Sequence, residues 1–208
     1  TDMAWGNTLA SLNWKYGIRD NMKMRAILYY TGSDADVQYY VNDWEFDTTE
    51  HNTSIDESNR SRVSDAAAST DFFWQPSGMH DVRFGASYQF HLYDPSRQSL
   101  TTVDAVRNRD DSARRYIGHE FSLYAEDEMT FLDRISLNAG LRYALYGVPG
   151  KVWNSLEPRV ALSVKCCEGT DFKVSYSEMS QFAHLVSTTY LDLPTNCWLP
   201  STSEVAPM

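Results

Sequence analysis

The sequence predicts an all-β fold: an antiparallel up-and-down meander of about eight strands that forms part of a larger transmembrane β-barrel. Three observations predict it. Runs of ~9–11 residues alternate strictly between apolar and polar side chains, the length a barrel strand needs to cross a bilayer. Connections between runs alternate short and long, so the tight turns fall at one end of the sheet and the long segments at the other, as in transmembrane barrels. Large charges crowd one face of the runs and nearly spare the other.

The first strand is Ala4 to Tyr16, with Ala4, Thr8, Leu12, Trp14 and Tyr16 on one face and Asn7, Asn13 and Lys15 on the other. GIRDN at 17–21 supplies turn chemistry. The second strand runs from Met22 to about Gly32. A polar segment, about 33–59, follows as a long loop. The third strand, Arg60 to Trp74, turns apolar at Phe72 to Trp74, and QPSGM at 75–79 closes a turn.

The fourth strand alternates most cleanly: Val82, Phe84, Ala86, Tyr88, Phe90 and Leu92 oppose Arg83, Gly85, Ser87, Gln89, His91 and Tyr93. After a second long loop, about 94–118, a hairpin spans His119 to Tyr146, with its turn at Phe131 to Arg134. A medium loop, about 147–155, leads to the seventh strand, Leu156 to Cys166, and a tight turn leads to the eighth, Asp171 to Ser177. The remainder, about 178–208, is expected as loop with one short helical turn at Met179 to Val186. No helical period interrupts the series, which argues against parallel βαβ units.

Composition narrows the function. The chain has 208 residues and a formal charge of −10, from 28 Asp and Glu against 18 Lys and Arg. That balance argues against nucleic acid as a partner, because a polyanion needs a basic face. No apolar run is long enough for a membrane helix, but barrel strands are only half apolar and are not excluded by that. Cys166, Cys167 and Cys197 show no metal-ligand spacing and are expected as free thiols.

The charged face carries Arg83, Glu120, Glu126, Glu128, Arg142, Glu157 and Arg159. A narrow barrel could bury so many charges only if each were paired. They suit the wall of a wide lumen, with cross-strand ion pairs among Glu120, Glu126, Glu128, Arg142, Glu157 and Arg159. Asp127 is the exception, since its parity places it on the apolar face. The opening in a strand and the Pro-containing end suggest a piece of the barrel, with the plug and the C-terminal strands absent.

Four stretches carry a resemblance: GHEFSLYAEDEM, ISLNAGLRYALYGVPGKVWNSLEPRVAL, FKVSYSEMSQFAHL and TTYLDLPTNCWLPSTSEVAPM. They are similar to the barrel of TonB-dependent outer-membrane receptors, in the nutrient-uptake branch that carries a carboxypeptidase-regulatory-like domain. Tyr124, Glu126 and Asp127, then Gly140 to Tyr143, then Pro158 and Arg159 follow the family pattern. The resemblance covers Gly118 to Met208; residues 1–117 match it only in rhythm. It implies a barrel of about 22 strands closed by a plug. It also implies import of a metal chelate, cobalamin or glycan, an outer-membrane location in a Gram-negative bacterium, and no enzymatic activity. Implied partners are outer-membrane lipid, a surface lipoprotein, and TonB through a part outside this chain.

Candidate ligand contacts lie in the long loops. Tyr39, Tyr40 and Trp44 could stack on a sugar or chelate, or simply belong to a solvated loop. Trp153, His184, Tyr190 and Trp198 could line a pocket mouth, or pack the loops down. The five histidines show no ligating spacing, so neither a metal site nor a cofactor is expected. Glu126 and Glu128 sit two apart on one face and are better explained by a basic neighbour than by acid–base catalysis. The competing class is a soluble all-β extracellular module that recognises glycan or protein through its loops. The two differ in what covers the apolar faces: a second sheet in the module, nothing in the barrel.

Overall fold

The computed structural model describes residues 2–45, 51–102, 109–111, 115–132, 134–190 and 193–208. Side chains within it are described except at 39–45, 51–59, 96–102, 109–111, 186–190 and 193–197. Its elements are β1 (Asp2–Arg19), β2 (Met22–Glu45), β3 (His51–Ser77), β4 (His80–Thr102), β5 (Arg109–Asp111), β6 (Tyr116–Phe131), β7 (Ile135–Val148), β8 (Lys151–Cys167), β9 (Thr170–Ser177), β10 (Ala183–Tyr190) and β11 (Leu193–Pro200). The main sheet runs β1-β2-β3-β4-β6-β7-β8-β9, every neighbour antiparallel, with the short β5 against β4. This is the expected eight-strand meander. β10 and β11 form a separate two-stranded sheet.

Register follows from the turns. Tight connections at Asp20–Asn21, Gly78–Met79 and Glu168–Gly169 join successive strands at one end. Gly169 has φ +81°, a conformation that costs a glycine nothing. Because side chains alternate, each tight turn carries the apolar parity of one strand onto the next. Leu28, Ala68, Tyr88 and Phe121 thus stand in one cross-strand row, and Leu141, Pro158 and Ala125 in another.

The long segments differ from expectation. Residues 33–45 and 51–59 are a continuation of the β2–β3 ladder, which pairs as far as Glu45 with His51. β4 likewise runs on to Thr102. A ladder of this kind needs no apolar alternation, because its hydrogen bonds join backbone to backbone. At the transition, Pro95 and Ser96 oppose the single residue Ser61, where the register slips. A bulge accommodates a proline that cannot donate to a ladder.

The expected medium loop at 147–155 is a two-residue turn, Pro149–Gly150, with Gly150 at φ +84°. The helical turn expected at Met179 to Val186 is absent, and Ala183 onward pairs with β11 instead. Pro158, in the middle of β8, is tolerated for a local reason. β9 ends opposite Arg159, so no ladder partner is lost at Pro158, whose carbonyl accepts from the Glu178 N–H at 3.0 Å.

The two faces of the sheet differ in cover. Trp14, Leu28, Trp74, Leu123, Leu141, Leu156 and Val174 stand exposed on the apolar face. Residues 178–190 and 193–208 fold back over the other, polar face, where β11 approaches β3, β4 and β6.

Candidate functional site

The polar face holds a transverse row of ionisable groups. Asp65 on β3 accepts from His91 Nδ1 on β4 at 2.8 Å. His91 Nε2 lies 3.7 Å from Glu120 on β6. Glu120 accepts from Arg142 on β7 at 2.7 Å, and the same guanidinium donates to Glu157 on β8 at 3.0 Å. Arg159 adds a contact to Glu157 at 3.9 Å. The row exists because antiparallel neighbours and their diagonals lie within reach of long side chains. Glu157 is 1% exposed. A carboxylate survives such burial only with charged partners and hydrogen bonds around it, which the two arginines and the Ser180 N–H at 3.2 Å provide.

A second row lies nearer the short turns. Arg25 donates to Asp71 through Nη2 at 2.9 Å and Nε at 3.2 Å. Tyr124 donates to the other oxygen of Asp71 at 2.8 Å, reaching across the intervening β4. Gly85 makes this passage possible: a Cβ there would stand 2.8 Å from the Tyr124 ring. Arg83 sits 3.5 Å from Glu126 and 4.0 Å from Glu128. Farther out, Arg62 pairs with Asp34.

The segment 178–208 docks at the far end of this face. Phe182 stacks on Tyr146 with centroids 4.8 Å apart and planes at 10°. With Ala144 they form a small buried cluster, flanked by Val148 and Trp153. Ser155 and Ser180 share a hydrogen bond of 2.7 Å, and the Trp153 indole donates to the Thr202 carbonyl at 3.0 Å. Gln181 and Met208 exchange backbone hydrogen bonds of 2.8 and 3.2 Å, which closes the segment on itself.

Of the residues singled out in the sequence, Glu120, Arg142, Glu157 and Arg159 lie in the transverse row, and Glu126 and Glu128 face Arg83. Trp153 is held by Thr202, with the Lys151 ammonium 4.6 Å over its ring. His184 Nε2 meets Ser201 Oγ at 3.2 Å. Trp198, opposite Leu185 in the β10–β11 ladder, is 41% exposed. Tyr39, Tyr40 and Trp44 lie on the outer part of β2, opposite Glu57, Asp56 and Asn52, and Tyr190 lies opposite Leu193; their side chains fall outside the described residues. The links through Asp65, Asp71, Tyr124, Tyr146 and Phe182 were not anticipated. Even–odd parity could have assigned the first four to this face, but their partners depend on register.

Cys166 and Cys167 are free and exposed, while the side chain of Cys197 falls outside the described residues. No metal-holding group of His, Cys, Asp and Glu occurs among the described residues. Asp127, the charge on the apolar face, is met by His80 Nδ1 at 2.7 Å.

A meander with an uncovered apolar face and a charged, paired opposite face is the wall of a transmembrane barrel. The particular kind follows from comparison. Residues 1–195 match the family described as TonB dependent receptor-like, beta-barrel, and the chain belongs to that family. The match includes the first 117 residues, where only rhythm had pointed to it. The fold is also similar to the crystal structure of BauA, the ferric preacinetobactin receptor from Acinetobacter baumannii. That similarity has a TM-score of 0.64 at 15% identity and covers 96% of this chain and 34% of that one. The chain therefore spans about a third of the length of that receptor chain. No curated protein matches.

Proposed function

We propose that this chain is wall and outer ribbon of an outer-membrane receptor that binds and imports a scarce nutrient of the metal-chelate, cobalamin or glycan class. Its membership of a receptor family supports the coarse reading. The observation that carries it is the uncovered apolar band: the β10–β11 sheet lies on the polar face, so no second sheet among the described residues meets Leu123, Leu141 or Val174. The soluble-module reading needs that cover.

In this reading the short turns are periplasmic and the β2–β4 ribbon is extracellular. The barrel portion is the 1–208 domain, and the plug and the TonB contact belong to other parts of the receptor. Trp198 offers an open aromatic face to ligand, with Tyr39, Tyr40, Trp44 and Tyr190 as further candidates; Trp153 and His184 hold the docked segment in place. A surface lipoprotein is a candidate partner for the ribbon. No catalytic step is assigned.

The test is labelling of intact cells or outer-membrane preparations. Single cysteines are placed at Leu123, Leu141 and Asn138 after Cys166, Cys167 and Cys197 are replaced by serine. A hydrophilic maleimide should modify position 138 and spare 123 and 141. Rapid modification at 123 or 141, or a detergent-free monodisperse protein that melts cooperatively, would overturn the membrane reading.

A further inference from the structure

We infer that the apolar face carries a binding site for one phospholipid of the periplasmic leaflet, its ammonium headgroup at Asp127 and one acyl chain in an adjoining groove. The inference rests on the outer-membrane reading above. Two neighbouring features carry it together.

The first is the groove. It has a volume of about 490 Å³ and crosses β3, β4, β6 and β7 on the apolar face. Its floor is made by the short side chains of Ala86 and Ala125, and its sides by Phe72, Phe84, Leu123 and Tyr143. Phe72 and Phe84 stack with centroids 5.0 Å apart, which fixes one side. The cross-strand register explains the shape: Phe72, Phe84, Ala125 and Leu141 form one row, and Thr70, Ala86, Leu123 and Tyr143 the next. Alanines set among aromatics leave a trough, and its largely apolar lining gives water few hydrogen-bond partners. In a bilayer the medium available to fill it, with full dispersion contact, is an alkyl chain.

The second is the charge at the end of the groove. Asp127 follows Ala125 by two residues on β6, about 7 Å along the strand on the same face. It stands between Val82 and Ala139, one row closer to the short turns. One carboxylate oxygen, Oδ2, meets His80 Nδ1 at 2.7 Å; the other, Oδ1, is buried without a hydrogen-bond partner, so a headgroup reaches the carboxylate from its Oδ2 side. The side chain retains 29% exposure. Asp127 is thus reachable from its Oδ2 side, and apart from His80 the groups around it on this face are apolar. At the depth of the periplasmic interface, charge complementarity selects a headgroup that brings a cation. A primary ammonium adds N–H donors for the exposed flank of the carboxylate, whereas an anionic headgroup is repelled.

The groove alone would take any alkyl chain, and Asp127 alone would be a rim charge. Their adjacency in register gives one lipid both ends of a site.

The experiment uses the receptor that contains this chain, extracted in mild detergent and exchanged against vesicles of dioleoyl-phosphatidylethanolamine or dioleoyl-phosphatidylglycerol. Lipid retained per barrel is counted by native mass spectrometry. The ethanolamine lipid should be retained about fivefold better, the ratio expected for one charge near the surface. Asp127→Asn should bring that ratio to about one, and Ala125→Phe, which fills the groove, should lower retention of both lipids. Ala86→Phe repeats the groove test should Ala125→Phe not assemble. Equal retention of the two lipids by the parent, indifference to Asp127, or a dimer abolished by Ala125→Phe would overturn the inference. If the protein gives no heat-modifiable barrel in outer membranes, the membrane reading fails first; a barrel without lipid preference sinks only the lipid site.

Discussion

Leu141 and Arg142 are consecutive residues of β7, and they face opposite media. Leu141 stands 47% exposed on the apolar face. Arg142 bridges Glu120 and Glu157 on the other. In a water-soluble sheet the arrangement would be reversed: leucine would be covered and the charges left open. The difference teaches that the fold is organised around two solvents rather than around a core. Hydrocarbon disfavours polar side chains, so Leu, Val and Phe stay uncovered on one face, with Asp127 and its partner His80 near the short turns as the exception. The other face collects the charges, and because neighbouring strands bring them close, they pair.

The largest expected effect comes from breaking the paired side. Arg142→Leu leaves His91 as the charged neighbour of Glu120, and leaves Glu157 with the more distant Arg159 and the Ser180 N–H. Removing one partner of a buried ion pair costs about 3–5 kcal/mol. The loss should appear as a lower temperature at which the folded receptor gives up its compact form on a gel. Adding Glu157→Gln should restore part of the stability, since it removes the stranded charge. No rescue by the second substitution would show that the row does not act as a connected set.

A charge on the open side should cost somewhat less. Leu141→Arg puts a guanidinium against hydrocarbon, with a penalty of about 2–4 kcal/mol near the bilayer midplane. Asn138→Arg, three residues away on the polar face, should change stability little. The contrast is measured by denaturant unfolding in lipid vesicles. Equal effects at 138 and 141 would erase the distinction between the faces.

The alternation that separates these faces was legible in the sequence. Ile135 to Leu145 and Val82 to Leu92 alternate without a break, so strand identity and parity could be assigned from side chains alone. Residues 33–45 could not be assigned in that way. Polar residues stand at both parities of this stretch, so it lacks the period that marks a half-apolar strand, and acidic residues among Tyr and Trp resemble a loop. Pro149–Gly150 misled in the other direction, because its turn signal spread over flanking residues that in fact pair. The charges of the polar face were visible, but the links were not. That Glu126 meets Arg83, and that Asp65 reaches Glu120 through His91, depends on register between strands separated by turns. The docking of Phe182 on Tyr146 joins residues with no shared period at all.

Packing within the polar face offers a smaller test. Gly85→Val would thrust a side chain into the space crossed by Tyr124 and toward the Thr70 carbonyl. Overpacking of this kind costs about 1–3 kcal/mol. It should also disrupt the Tyr124 to Asp71 hydrogen bond, visible as a loss of Tyr124 fluorescence quenching by the carboxylate in a receptor with its other tyrosines retained and Tyr124→Phe as the blank. Unchanged stability would mean that the ring has another path across β4.

The smallest effect concerns the place where, among the described residues, the polar face is covered by something other than a strand of the main sheet. The segment from Ser180 to Met208 is not part of the main ladder; it is held by the Phe182 stack, the Ser155–Ser180 and Trp153–Thr202 hydrogen bonds, and the carboxylate of Glu157. Phe182→Leu keeps an apolar side chain on Tyr146 but removes the aromatic pair, worth about 0.5–1.5 kcal/mol beyond burial. Such a loss should be local. Amide hydrogen exchange should quicken by about an order of magnitude at most over residues 180–185, while β7 keeps its protection, because wall and segment open as separate cooperative units. If β7 loses protection in step, the docked segment is a stabilising part of the wall itself, and the contrast between a self-sufficient ladder and a segment laid upon it does not hold.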